Sequence, residues 1–181
     1  QGLFLFVGRF TPEKDPSSCV EAVRILRDKY GIESVKIRMV GSGPLLESVR
    51  RMVNRYRLDE NVKLLGQINN RELPPHYSEA MATICPRLAG AHTGHVLLES
   101  MACGTPVIVG DLDEATEPYV SECGFPVPPS DPAAIAQSMR EMHLSPRKAQ
   151  EKRASARAEA RKHDYSAVAK KLSTSYEEWL R

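Results

Sequence analysis

Arg9 and Lys14 stand five residues apart, immediately after the apolar run "LFLFV" and its closing Gly8. A guanidinium offers a planar fork of donors and an ammonium a mobile point charge, so the pair suits a diphosphate. Gly8 would let the backbone approach such a ligand closely. An ordinary pair of surface cations fits the same spacing.

The second stretch with chemical content is "CPRLAGAHTGHVLLESMACGTPVIVG", Cys85 to Gly110. His92 and His95 lie either side of Gly94, where a helix is predicted to begin, so the amides of His95, Val96 and Leu97 would lack intrahelical partners. Such amides, together with the helix dipole, bind anions. Glu99 follows among Leu97, Leu98, Met101 and Ala102. Burying it unpaired would cost at least roughly 2 to 7 kcal/mol, by analogy with uncharged polar groups. A pair of ribose hydroxyls would satisfy it; solvent or a protein amide would also serve. His92, His95 and Glu99 could hold a metal on one face only if residues 92 to 99 were all helical, and Gly94 argues against that. No metal is therefore expected. Ser100 follows no G-x-S-x-G elbow, which removes the signature of an α/β-hydrolase.

These groups need a scaffold, and the apolar pattern supplies one. "LFLFVG", "VKIRMVG", "VKLLG", "ATICP" and "PVIVG" are predicted strands. Between them lie helical stripes: Cys19, Val23, Leu26 and Tyr30 after an Asp15-Pro16 start, then Leu46, Val49, Val53 and Tyr56. Asn69 and Glu72 are spaced as a capping box for a short helix reaching Met81. "GSGP" contains G-x-G without the third glycine of a dinucleotide fingerprint, and reads as a tight turn whose Gly43 and Pro44 begin a helix. Strands alternating with helices imply an α/β fold, a parallel sheet with helices on both faces. In such a sheet ligands gather at the carboxyl ends of the strands, which directs attention to loops 8–14, 41–44, 66–69 and 86–94. Beyond them, "GFPVPPSD" reads as an extended, proline-broken connector. Asp131-Pro132 caps a helix to about His143, and Ser145-Pro146 caps a very polar one whose charges form a solvated face. A last helix is expected from Asp164 or Ser166, with Val168, Leu172, Tyr176 and Trp179 on one stripe.

With 181 residues and a hydrophobic fraction of 41%, one ordinary domain is expected. A net charge of +2 gives no sign of a nucleic-acid partner. The four cysteines show no C-x-x-C spacing, which fits buried thiols in a reduced, cytoplasmic setting. No apolar run reaches the ~18 to 20 residues of a membrane span. Gln1 in place of methionine suggests a chain cut from something longer.

The ordered set "FVGRFTPEKD", "VKIRMVGSGPLLESV", "VKLLGQINNRELPPHYSEAMATICP", "GHVLLESMACGTPVI", "GFPVPPSDPAAIAQSM" and "HDYSAVAKKLSTSYEEW" resembles the C-terminal, donor-binding half of retaining glycosyltransferases of family 4 (glycosyl transferases group 1). The resemblance implies a Rossmann-like domain over residues 1–163, one half of a GT-B fold. It also implies a terminal helix, 164–181, that crosses back to an N-terminal acceptor-binding domain outside this chain. By resemblance, Arg9 and Lys14 hold the donor diphosphate and act catalytically on the leaving nucleotide. Gly8, Gly41, Gly94 and the amides of His95, Val96 and Leu97 approach the phosphates, backbone at Gln67 and Ile68 faces the base, and Glu99 binds the ribose as the second glutamate of the family's E-x7-E motif.

The first glutamate of that motif is replaced here by Ala91, and His92 is expected to contact sugar hydroxyls in its place. The ligand implied is a nucleoside-diphosphate sugar, used as substrate with no cofactor and no essential metal. The leading expectation is an enzyme transferring a sugar with retention of configuration. The alternatives are an inactive nucleotide-sugar-binding or regulatory module, motivated by Ala91, and a nucleotide-sugar epimerase or hydrolase on the same fold. Base, sugar, acceptor and any membrane association of a longer protein stay open.

Overall fold

The computed structural model describes residues 2–86, 94–110 and 117–164, with positions 166, 169 and 173. Six parallel strands form the sheet: β1 Leu3–Val7, β2 Lys36–Val40, β3 Val62–Gly66, β4 Thr83–Cys85, β5 Val107–Gly110 and β6 Gly124–Val127. Their order is β3-β2-β1-β4-β5-β6, so the chain winds outward from β1 to one edge, then returns to β4 and winds to the other. Seven helices accompany them among the described residues: α1 Pro16–Tyr30, α2 Leu46–Arg55, α3 Leu73–Glu79, α4 Gly94–Ala102, α5 Glu117–Cys123, α6 Pro132–Leu144 and α7 Pro146–Lys162.

Strand residues alternate between two buried faces, as a sheet covered on both sides requires. Phe4, Phe6, Ile37, Met39, Ile84 and Ile108 point to one side, where Val23 and Leu26 of α1, Val49 and Val53 of α2, and Ile135 and Met139 of α6 complete the main core. Leu5 and Val40 point to the other, against Leu73 and Tyr77 of α3. Cys85, Val107 and Val109 share that side with Leu97 of α4 and Val120 of α5. The predicted α/β Rossmann-like class is the observed one.

Local signals explain most boundaries. Asp15 caps α1 from a left-handed conformation (φ 44°), accepting from the Ser18 amide at 3.3 Å and from the Ser18 hydroxyl at 2.6 Å, and Pro16 follows at the first helical position. Asp131 caps α6 by accepting from the amides of Ala133 and Ala134 at 2.9 and 3.0 Å.

Several sequence expectations are corrected. The segment read as a connector contains α5's neighbour β6, a strand pairing in parallel with β5; Pro126 is tolerated there because the strand lies at the sheet edge. Both α5 and β6 escaped the pattern because each is short and carries no clear period. Asn69 caps a 3₁₀ turn, Asn70–Glu72, through the Arg71 amide at 3.0 Å, and α3 then starts afresh at Leu73 with prolines in its first turn. Helix α2 begins at Leu46, two residues later than Pro44. Ser145 makes no side-chain cap to α7, and that helix is more than a solvated face: Ala149 and Ala156 are buried, and Arg153 reaches inward to the carbonyls of Ala80, at the end of α3, and Gly104, after α4. The stripe Val168, Leu172, Tyr176 and Trp179 lies outside the described residues.

Candidate functional site

Strands β1 and β4 lie side by side while their connections run to opposite edges of the sheet, which opens a crevice at their carboxyl ends. Beside it, the three loops that follow β1, β2 and β3 converge and are tied backbone to backbone. The Gly8 amide donates to the Val40 carbonyl at 3.0 Å, Phe10 to Ser42 at 2.8 Å, Leu45 to Phe10 at 2.9 Å, and Gly41 to Gly66 at 2.7 Å. Gly41 adopts φ +129°, and a Cβ there would fall on the Gly8 carbonyl oxygen; one on Gly43 would come within 2.6 Å of the Phe10 carbonyl oxygen. The glycines of "GSGP" thus serve close packing of loop on loop rather than a phosphate fingerprint.

The converging loops enclose a cleft of about 540 Å³ lined by Gly8, Arg9, Gly41, Ser42, Gln67, Ile68, Asn69 and Leu73 among others. Five residues proposed from the sequence therefore meet in one place. Ser42 carries no distinguishing signal within loop 41–44, yet its hydroxyl receives the Gln67 amide at 2.9 Å, fixing one wall of the cleft.

Arg9 is exposed and Lys14 half-buried, and neither forms an ion pair among the described residues. The Lys14 stem folds over Gly8, whose added Cβ would meet Lys14 Cγ at 3.9 Å. Its ammonium also lies near Cys85, at the end of β4. Burial pushes the Cys85 thiol up to about 12, and the positive charge of Lys14 works against that shift. Lys14 therefore lies between the loop after β1 and the carboxyl end of β4.

Helix α4 begins at Gly94, as read from the sequence, so its first amides lack intrahelical acceptors. His95 is exposed, Val96 half-buried, and Leu97 wholly buried against Cys85, Val107 and Val109, which leaves Leu97 only its amide to offer. Glu99 is exposed, not sunk in an apolar helix, and its Oε2 accepts from the Tyr77 hydroxyl at 2.8 Å. Solvent and a phenol thus meet the need that burial would have imposed. Tyr77 gave no sign in the sequence, because its link to Glu99 spans 22 residues and two elements.

Ala91 and His92 lie outside the described residues. No cluster of three His, Cys, Asp or Glu side chains able to hold a metal occurs among the described residues. No helix among them is long and apolar enough to cross a membrane.

Comparison with known proteins decides the family. The family model for glycosyl transferases group 1 matches residues 1–163. The chain belongs to that family. A relative, the phosphatidyl-myo-inositol mannosyltransferase of Mycobacterium leprae, is 32% identical over 176 residues, covering 96% of this chain and 46% of the relative. A second, the GDP-mannose-dependent α-(1-6)-phosphatidylinositol monomannoside mannosyltransferase of Mycolicibacterium smegmatis, is 31% identical over 150 residues, covering 79% of this chain and 39% of the relative. Among solved structures, Anabaena HepE in complex with UDP and glucose superposes with a TM-score of 0.81 at 19% identity, over 98% of this chain and 48% of that one. At that identity the likeness speaks for the fold, the Rossmann-like half of a GT-B glycosyltransferase. The chain spans less than half the length of these glycosyltransferases.

Proposed function

We propose that this chain is the donor-binding half of a retaining glycosyltransferase that takes a nucleoside-diphosphate sugar. The observation that carries the reading is the cleft that gathers Gly8, Arg9, Gly41, Gln67 and Ile68 at the carboxyl ends of the strands, in a chain of the glycosyl transferases group 1 family. The base would lie in the cleft beside Ile68 and Leu73, held by backbone near Gln67. Arg9, Lys14 and the first turn of α4 would hold the diphosphate, and Glu99 would accept the ribose hydroxyls.

As the bond from sugar to diphosphate lengthens, negative charge grows on the leaving phosphate. Lys14, Arg9 and the helix terminus would face the phosphates as that charge appears, so their attraction would strengthen toward the transition state. Charge compensation by these groups calls for no resident metal. His92, two residues before Gly94 in sequence, would meet hydroxyls of the transferred sugar.

The mannosyl transfer performed by the two relatives makes GDP-mannose the first donor to test. Calorimetric titration of the intact protein with GDP, UDP, ADP and their sugar conjugates should select one base. Lys14→Ala and Glu99→Ala should each weaken that nucleotide about tenfold or more, the loss of roughly 1.4 kcal/mol or more from a charge-assisted contact. Equal affinity in wild type and both variants would overturn the reading. A nucleotide bound normally with no sugar transfer to any acceptor, the outcome Ala91 makes specific, would identify an inactive binding module.

A further inference from the structure

We propose that Tyr77 is a positioning residue for nucleotide recognition: its hydroxyl holds the Glu99 carboxylate in the orientation that receives the ribose. The inference rests on the reading of Glu99 as the ribose acceptor. Glu99 is exposed on α4, and a glutamate in water spreads over many rotamers, so an unrestrained side chain would have to be ordered each time a nucleotide bound. The 2.8 Å bond from Tyr77 removes much of that freedom beforehand and occupies Oε2. An ionised carboxylate has two oxygens and about four accepting positions, so capacity remains for a ligand hydroxyl.

The donor in this pair is itself immobile. Tyr77 is 1% exposed, with its ring among Leu5, Val40, Leu73 and Ala80. Val7 and Ile68, which line the nucleotide cleft, pack on the same cluster, so the ring joins the cleft floor to Glu99. Its backbone is pinned as well. The Thr105 hydroxyl donates to the Tyr77 carbonyl at 2.6 Å, and the Ser100 hydroxyl, next to Glu99, donates to the Thr105 carbonyl at 2.9 Å. Both ends of the Tyr77–Glu99 pair are thereby anchored to one buried network. Burial, and then the bond and charge of Glu99, hold the phenol far above its ordinary value of 10.0, so the hydroxyl keeps its proton and acts as a donor.

The test is calorimetry on the intact protein with GDP, UDP and ADP, followed by the 2′,3′-dideoxy form of whichever binds. Tyr77→Phe keeps the ring and removes only the donor. It should weaken the ribonucleotide about five- to tenfold, leave the dideoxy nucleotide unchanged, and have no further effect in a Glu99→Ala background. In turnover the loss should appear in the KM for the sugar donor. Equal weakening of ribo- and dideoxy forms, or full additivity with Glu99→Ala, would mean a purely structural role and overturn the proposal. Loss of affinity in Tyr77→Leu with none in Tyr77→Phe would do the same, assigning everything to the ring. Should Glu99→Ala bind ribonucleotide normally, the ribose reading itself fails and this proposal with it. Should Glu99→Ala weaken binding while Tyr77→Phe does not, only this proposal fails.

Discussion

At the scale of single residues, burial and charge set the chemistry of the four cysteines. Cys19, Cys85 and Cys123 are buried and Cys103 is partly exposed, and none of the four is in a disulfide. Burial raises Cys85 to about 12 and Cys123 to about 11, from an ordinary 9.0. Burial raises Cys103 as well, but it alone is partly open to solvent, so at pH 8 iodoacetamide should modify Cys103 alone in the folded protein and all four after unfolding, as peptide mass mapping would show. Above about pH 9 these thiols ionise in the unfolded chain while remaining protonated in the folded one, so the unfolded state gains. Stability from Cys85 and Cys123 is complete below pH 9 and declines as pH rises toward 12; urea midpoints at pH 8 and pH 10.5 would show the fall.

At the scale of elements, the crevice depends on the loop after β1 resting directly on the loop after β2. Gly41 permits this because it has no Cβ to meet the Gly8 carbonyl and because φ +129° is open to glycine. Gly41→Ala should therefore cost about 1 to 3 kcal/mol, read as a drop of several degrees in Tm, and should weaken nucleotide binding as Gly8 and Arg9 are pushed from the cleft. A Gly31→Ala control shares the positive φ (65°) without any atom within 4 Å, and should lower Tm while leaving the cleft's affinity intact. Most elements around this crevice were readable in the sequence: the strands ending at Val7, Val40 and Gly66 have plain apolar runs, and α1 and α6 have strong caps. Helix α5 and strand β6 were not, because seven and four residues without a period leave no pattern, and β6 exists only through its pairing with β5.

At the scale of the whole molecule, α7 closes the layer that carries the candidate site. The Arg153 guanidinium donates to the Ala80 carbonyl at 2.6 Å and the Gly104 carbonyl at 3.2 Å, bracing the end of α3 and the turn after α4. Burial and the neighbouring Arg157 lower its pKa, yet an arginine remains charged at any working pH. Arg153→Met would strand carbonyls at a largely covered interface. We expect a loss of about 1 to 3 kcal/mol in urea unfolding, which Arg153→Lys should not restore because one ammonium cannot reproduce the fork. The division between sequence and structure follows from the range of the interactions. Period, caps and turn residues act within a few positions, so the amino-acid sequence by itself determined the α/β class, most strands and helices, and the candidates Arg9, Lys14, Gly94 and Glu99. Which of these face one another, that Glu99 is exposed and held by Tyr77, and that a charged helix braces α3 depend on contacts between residues 22 to 73 positions apart, and only tertiary packing decides those.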